Sequence, residues 1–380
     1  MAEVRGHCSD RFAGVREVMA ANLDKGADVG SSVAIVHEGE LVVDLWGGEI
    51  EALDGQVQPW AEDTITNVWS TTKTMTALSA LLLADRGELD LHAPVATYWP
   101  EFAAEGKEGV TTAHLLGHTA GLAGWTEPME PEDLFDWEKC CARLAAQAPW
   151  WEPGTASGYH AITQGYLVGE VVRRISGKSL GTFFRDELAG PLGADFHIGT
   201  GPDHDARVAK VIPPAEELSA EGLDPDSVQV RALTNPPLDA RLAWTEGWRR
   251  CESPAANGHG NARSVARVQS VLSHRGTIDG RQYLSEEGCN AVFEEQAKGT
   301  DLVLQVPLRL GTGYGINSPE LPISPNPRAC FWGGWGGSIV VNDLDARLTV
   351  AFVMNRMGEG TTGDDRGIGI VLATYMALLT

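Results

Sequence analysis

Phe12, Val15, Val18, Met19 and Leu23 recur at the three- and four-residue spacing of one helix face, so the chain opens with an amphipathic helix. Two β-like runs follow, residues 32–37 and 41–46, and Glu38-Gly39-Glu40 between them predicts a hairpin. The pattern then changes. Over residues 70–84 the positions are apolar on nearly every side (Met75, Ala77, Leu78, Leu81, Leu82, Leu83), which marks a helix buried in the middle of the molecule. Gly87 is its natural stop.

Residues 110–248 differ in character. They carry helix-like stretches over 133–147 and 163–175, long loops punctuated by Pro and Gly, and no strand pattern in their first half. After Asn257-Gly258-His259-Gly260, a turn or a pocket rim, another helix is predicted over 262–273. Strand character returns at 338–342 and 347–355, with a turn over 342–346, and a final helix covers 368–379. Strands at both ends of the sequence with helices between them imply one sheet assembled from both termini, an α+β chain. No internal repeat or low-complexity segment interrupts this order.

Composition narrows the partners. The 380 residues are 43% apolar and 21% charged, ordinary values for a globular protein, and long enough for two lobes. Acidic residues number 52 against 29 basic ones, a formal charge of −23. Such a surface repels nucleic acid and anionic membrane, so neither is expected as a partner, and solubility accounts for the charge. Glu3, Cys8 and Asp10 interrupt any apolar run near Met1, and the longest apolar stretch, residues 368–379, falls short of the ~20 residues a bilayer requires. A cytoplasmic location is expected. The cysteines Cys8, Cys140, Cys141, Cys251, Cys289 and Cys330 show neither disulfide-framework nor zinc spacing and read as free thiols.

One motif carries chemistry. Ser70-Thr71-Thr72-Lys73 stands at the mouth of the apolar segment and places a hydroxyl and an amine one helical turn apart, on one face. Serine needs an adjacent proton acceptor to act as a nucleophile, and a helix N-terminus favours negative charge developing beside it. Taken alone, the same four residues also describe an N-cap serine and a surface lysine. Other signatures are explained otherwise. His114 and His118 have zinc spacing, but no Glu follows the first and Gly117 lies between them, so no metal or other cofactor is expected. Gly311-Thr312-Gly313-Tyr314-Gly315 lacks the strand–turn–helix context of a nucleotide loop and reads as a turn.

Three further segments give Ser70 its context. They are Gly87-Glu88-Leu89-Asp90-Leu91 with Tyr98-Trp99-Pro100-Glu101-Phe102, then His114 to Leu122 (HLLGHTAGL), then Pro153-Gly154 leading to Tyr159-His160-Ala161 and Gly165-Tyr166-Leu167-Val168-Gly169. In this order and spacing the chain resembles serine hydrolases of the β-lactamase and penicillin-binding-protein superfamily, nearest to class C β-lactamases and family VIII carboxylesterases. The resemblance spans residues 30–355. It implies a β-lactamase-like fold: an antiparallel sheet flanked by helices in a discontinuous domain, 1–105 with 250–380, and a mostly helical domain, 106–249, that carries Tyr159. It also implies Ser70 as the acyl-accepting nucleophile, with Tyr159 and Lys73 as the base/acid pair and either one as the proximate base. A phenol ionises near ~10 and needs neighbouring donors or cations to serve as a base.

Trp332-Gly333-Gly334 stands where β-lactamases carry Lys-Thr-Gly, on a strand expected to line the pocket, and Trp335 would add its N–H to that of Ser70 in an oxyanion hole. The two glycines are expected to let substrate approach the strand backbone. Trp332, Gly333, Gly334, His160 and Trp151 are therefore the expected substrate-binding residues, while core packing accounts for most of the twelve tryptophans. Two departures separate the chain from β-lactamases. Trp332 replaces the cation that would hold a lactam carboxylate, and Ala161 replaces the Asn of Tyr-x-Asn. Both remove polar recognition and keep the Ser/Lys/Tyr set, so the resemblance points to a carboxylesterase acting on a small-molecule ester. A β-lactamase, a D-amino-acid peptidase or an acyltransferase would use the same machinery, and a non-catalytic scaffold is the reading from a different class. The sequence leaves oligomeric state open.

Overall fold

The computed structural model describes residues 2–216 and 222–379. Its largest element is a ten-stranded antiparallel sheet built from both ends of the chain. In spatial order the strands are Val4–Cys8, Glu40–Glu51, Gly30–His37, Leu348–Met354, Ile339–Asp343, Ala329–Gly333, Gly315–Ile316, Pro307–Leu310 and Ala297–Thr300, with Val57–Pro59 paired to the far end of Glu40–Glu51. The fold is the expected α+β arrangement with an antiparallel sheet. The predicted hairpin closes through Glu38 and Gly39, both at positive φ, with His37 paired to Glu40. Such a two-residue turn matches the twist of its strands.

The central strands Gly30–His37 and Leu348–Met354 are buried along almost their whole length, because helices cover both faces. Thr349 shares a hydrogen bond with Ser273 of helix Ala262–Ser273, while Phe352, three positions on, touches Gly367 of helix Asp365–Leu378. An odd separation along a strand puts two side chains on opposite faces, so these helices flank the sheet on its two sides. The opening helix, Ala13–Asp24, packs beside the last one.

Helix Thr72–Asp85 lies deeper. Every residue from Thr72 to Leu83 is buried, as the all-round apolar pattern predicts. Thr74 Oγ1 and Ser79 Oγ donate locally, to Thr71 O and Met75 O, while Thr76 Oγ1 donates across the fold to Pro254 O. Helices Thr163–Ser176, Leu180–Phe184 and Ala262–Ser273 surround it. The 133–147 stretch is a short 3-10 turn, Pro131–Phe135, and a helix, Trp137–Ala146, separated by Asp136, whose side chain accepts from Lys139 N–H as an N-cap.

Several strands escape the periodicity rules. Val4–Cys8 is an edge strand with no apolar alternation, and Ala297–Thr300 is mostly exposed. Asn257 to Gly260 is neither a rim nor a simple turn. His259–Gly260 is a strand paired with Thr66 and Asn67, and Val68 N–H donates to Gly258 O. That segment braces the chain leading into Ser70.

Leu78 is fully buried at the centre of the Thr72–Asp85 helix. Leu78→Ala is expected to lower unfolding stability by about 2–5 kcal/mol, read from the midpoint of urea denaturation.

Candidate active site

Ser70 sits in the 3-10 turn Trp69–Thr71 that leads into helix Thr72–Asp85. Residues at a helix start have N–H groups without intrahelical acceptors, so the Ser70 N–H is available to an oxyanion. The turn is tight. Trp69, immediately before the serine, has φ +48°, a left-handed conformation rare for a bulky residue. It is held from both sides by Trp335 and Trp248, with ring centroids 5.0 and 5.8 Å away.

One turn on, Lys73 Nζ lies 3.0 Å from Ser70 Oγ. Its other contacts are two backbone carbonyls, Ala161 O at 2.6 Å and Ala255 O at 2.9 Å. The side chain is 1% exposed and no carboxylate opposes it, so burial alone pushes its pKa well below that of an ordinary lysine. A neutral amine has two N–H donors and one lone pair. In that form the two carbonyls can take both donors and leave the lone pair to the serine hydroxyl, whereas a protonated Nζ donates to Ser70 Oγ as well.

Tyr159 comes from the inserted region, on an irregular segment. Its phenol oxygen lies 2.7 Å from Ser70 Oγ, and Lys73 Nζ lies 4.8 Å from its ring centroid. The backbone is pinned by Asp301, whose Oδ1 accepts from the N–H groups of Tyr159, Val303 and Leu304. Burial raises the phenol pKa, outweighing the opposing effects of the Ser70 hydroxyl and the Trp332 indole, which favours the protonated phenol in the resting site. Ala161 does reach Lys73, but through its carbonyl, which any residue at that position supplies.

Trp332 and Gly333 end the strand Ala329–Gly333, as expected, and Gly334 and Trp335 follow directly. The reason for the glycines is different, however. A Cβ on Gly333 would lie 2.3 Å from Thr362 O, and one on Gly334 would lie 2.2 Å from Val68 O. Protein backbone, not substrate, fills the space that these glycines leave. Trp332 is 3% exposed, stacked on His118 and packed against Tyr159. The backbone N–H of Trp335 makes no hydrogen bond to another described residue.

The remaining expectations separate. His160 is fully buried, with Nε2 accepting from Leu122 N–H and Nδ1 donating to Gly158 O. Both nitrogens are used, and burial lowers its pKa to about 4, so it is a neutral structural residue and not a substrate contact. Trp151 donates its indole N–H to Ala156 O and packs on His160. The histidines of the 114–118 pair have separate tasks: His114 Nδ1 accepts from Thr111 N–H, and His118 Nδ1 accepts from His160 N–H.

The cleft beside Ser70 has about 700 Å³, counted out to its open mouth. Its walls include Ala123, Trp125, Ile162, Leu233, Leu238 and Leu304, together with Trp69, Tyr159 and Trp335. None of the described residues lining it carries a charge. Of its polar wall residues, Thr163 donates to Leu122 O and Asn235 is spent on the backbone of Trp125, Glu127 and Met129. Trp332, Gly333, Gly334, His160 and Trp151 stand outside this lining. Sequence reasoning missed Leu233, on the short helix Val228–Thr234, and Leu238 and Leu304, on irregular segments, together with Asp301, which pins the Tyr159 backbone; none of them lies in a motif.

A buried Ser-x-x-Lys pair with a tyrosine across it, on a sheet made from both chain ends, defines a serine hydrolase site of the β-lactamase fold. The sequence matches the Beta-lactamase family over residues 15–374, and the chain belongs to that family. It is 34% identical to the esterase/beta-lactamase LipL of Mycobacterium tuberculosis over 93% of this chain and 83% of that protein. Among solved structures, a family VIII carboxylesterase superposes with a TM-score of 0.91 at 43% identity, covering 99% of this chain and 100% of the other. A penicillin-binding protein homologue from Caulobacter crescentus gives 0.91 at 39% identity, with the same coverage.

If His160 is structural, His160→Ala leaves the buried Leu122 N–H without its acceptor. A stability loss of about 1–3 kcal/mol is expected in urea titrations. The ratio of kcat/KM between short- and long-chain esters should stay that of the unmodified protein, since a pocket wall would change it.

Proposed function

We propose that the protein is a carboxylesterase that cleaves small to medium, uncharged carboxylic esters through an acyl-enzyme on Ser70. The observation that carries this reading is the Lys73 amine, buried, pushed toward neutrality and turned toward Ser70 Oγ at 3.0 Å. The charge-free cleft supports an ester over a β-lactam, since it offers no cation to a substrate carboxylate. An ester substrate is named for the family VIII carboxylesterase, and LipL is named as both esterase and beta-lactamase. The apolar walls suit an aliphatic or aromatic acyl or alcohol arm.

Lys73 is the proximate base in this account. Its lone pair takes the Ser70 hydroxyl proton as Oγ attacks the ester carbonyl carbon. The carbonyl π electrons move onto oxygen, and the N–H groups of Ser70 and Trp335 hold that oxyanion, each for about 2.7–4 kcal/mol. Collapse breaks the bond to the alkoxide, which takes the Tyr159 phenol proton and departs as the alcohol. An ammonium and a phenolate remain side by side. A water then gives a proton to the phenolate and its oxygen attacks the acyl carbon. Ser70 Oγ leaves, recovers its proton from Lys73, and the acid is released.

Ser70 and Lys73, with the third-motif strand, belong to the part formed by 1–105 and 250–380, and Tyr159 to 106–249, so the cleft lies between the two. Among the described residues no helix is long and apolar enough to cross a membrane. The six cysteines are unpaired, which supports a cytoplasmic placement.

A panel of nitrophenyl esters of increasing chain length, assayed beside a chromogenic cephalosporin, tests the substrate class. Ester turnover should dominate, Ser70→Ala should abolish it, and the trapped acyl-enzyme should carry its added mass on Ser70. Cephalosporin turnover equal to or above ester turnover overturns the proposal.

The proton roles give a separate expectation. A lysine with a depressed pKa is protonated, and inactive, only below that pKa, so kcat/KM should rise with pH through an acid limb well under 10.5 and then level off. Tyr159, with its pKa raised, adds no alkaline limb near neutrality. Lys73→Arg keeps the positive charge at every pH and should lose about 10²–10⁴-fold in kcat, with the acid limb gone from what remains.

A further inference from the structure

Two consecutive glycines, Gly336 and Gly337, follow Trp335 with φ of +89° and +127°. They have no side chains to anchor them, so the direction of the Trp335 N–H must be set by neighbouring groups. On one side, Gly334 N–H donates to Ser338 O at 2.7 Å, and Ser338 Oγ donates to Val68 O at 2.8 Å, tying the strand end to the Ser70 turn. On the other side stands Arg366, in the first turn of the last helix. Its Nη2 donates to Gly336 O at 2.6 Å. The same carbonyl accepts from Gly358 N–H at 2.8 Å, and Gly336 N–H donates to Gly360 O at 2.8 Å.

The guanidinium is itself held rigidly. Nη1 donates to Asp28 Oδ1 at 2.8 Å, to Arg356 O at 2.9 Å and to Ala27 O at 3.1 Å, while Nη2 also meets Asp364 at 2.5 Å. The Arg366 side chain is 11% exposed, the Asp28 side chain is fully buried, and Asp28 Oδ2 has no partner. A buried arginine fork is a planar, fixed donor, and breaking such a pair leaves an uncompensated charge. The fit is tight: a Cβ on Gly337 would lie 2.6 Å from Arg366 Nη2. An ion pair kept only for folding would be complete with Asp28 and Asp364. Here the guanidinium also reaches three backbone carbonyls, and one of them, Gly336 O, lies in the turn beside the oxyanion donor.

We propose that Arg366 is a positioning residue for the esterase reaction, fixing the Gly336 carbonyl so that the Trp335 N–H points at the oxyanion of the Ser70 adduct. It touches no substrate. The inference rests on the reading of Ser70 as nucleophile and Trp335 as oxyanion donor.

The test compares the unmodified enzyme with Arg366→Lys, and with the double variant Asp28→Asn/Arg366→Gln, which removes both buried charges together. Active sites are titrated with a fluorophosphonate, so that only folded, Ser70-reactive molecules are counted. Two readouts follow: kcat and KM per titrated site, and the infrared carbonyl stretch of a ¹³C-labelled acyl-enzyme. A well-aimed oxyanion hole polarises that carbonyl and lowers its frequency. Both variants should lose about tenfold to a hundredfold in kcat per site, with KM moving less than about threefold. Their carbonyl bands should shift to higher wavenumber than that of the unmodified enzyme. Unchanged kcat per site and an unshifted band in either folded variant would overturn the positioning role. If the unmodified enzyme is not labelled at Ser70, or its carbonyl already absorbs where a free ester does, the esterase reading fails and takes this proposal with it.

Discussion

The site depends on a single fact of solvation: Lys73 is buried with no negative charge beside it. An ammonium in that place would carry a desolvation cost of several kcal/mol. The amine form carries none of that, and its two hydrogens meet Ala161 O and Ala255 O. In the mechanism proposed above, the base is made by withholding a counter-ion. The surroundings serve that end, since the helix that carries Lys73 is buried on all sides and its neighbours within reach are carbonyls, a hydroxyl and a phenol.

The same burial acts in the opposite sense on Tyr159. Desolvation disfavours the charged form of each group, which for lysine is the protonated state and for tyrosine the deprotonated one. One low-dielectric pocket thus biases two adjacent groups toward complementary states, which the proposed mechanism uses as proton acceptor and proton donor. The division of labour does not require either residue to be tuned by a special partner. It follows from placing both of them on Ser70 Oγ, at 3.0 and 2.7 Å, in the same water-poor space.

Much of this was legible in the sequence, for reasons particular to each element. The Thr72–Asp85 helix announces its burial because its apolar residues occupy every face, and the Ser70–Lys73 spacing fixes their shared face once a helix is granted. Tyr159 is 89 residues from Ser70, and only the order of motifs brings it to the site. Other features leave no trace in residue identity. The lysine's acceptors are backbone carbonyls 88 and 182 residues away, and any side chain would serve at either position. Gly333 and Gly334 were visible as a motif, but their cause was not: they admit the Thr362 and Val68 backbones, a contact between segments far apart in the chain. His160 and Trp151 were drawn toward the pocket by nearness to Tyr159 in the chain, whereas His160 is committed to the Leu122 and Gly158 backbone and Trp151 packs on it.

The most direct measurement of the central claim is the titration of Lys73 itself. The chain has seven lysines, and ¹³Cε-labelled lysine with a Lys73→Met reference identifies the one signal of interest. The account predicts that this carbon reports a neutral amine at neutral pH and titrates well below the ordinary lysine value. A Lys73 signal that stays in the ammonium position up to pH 10 would contradict it.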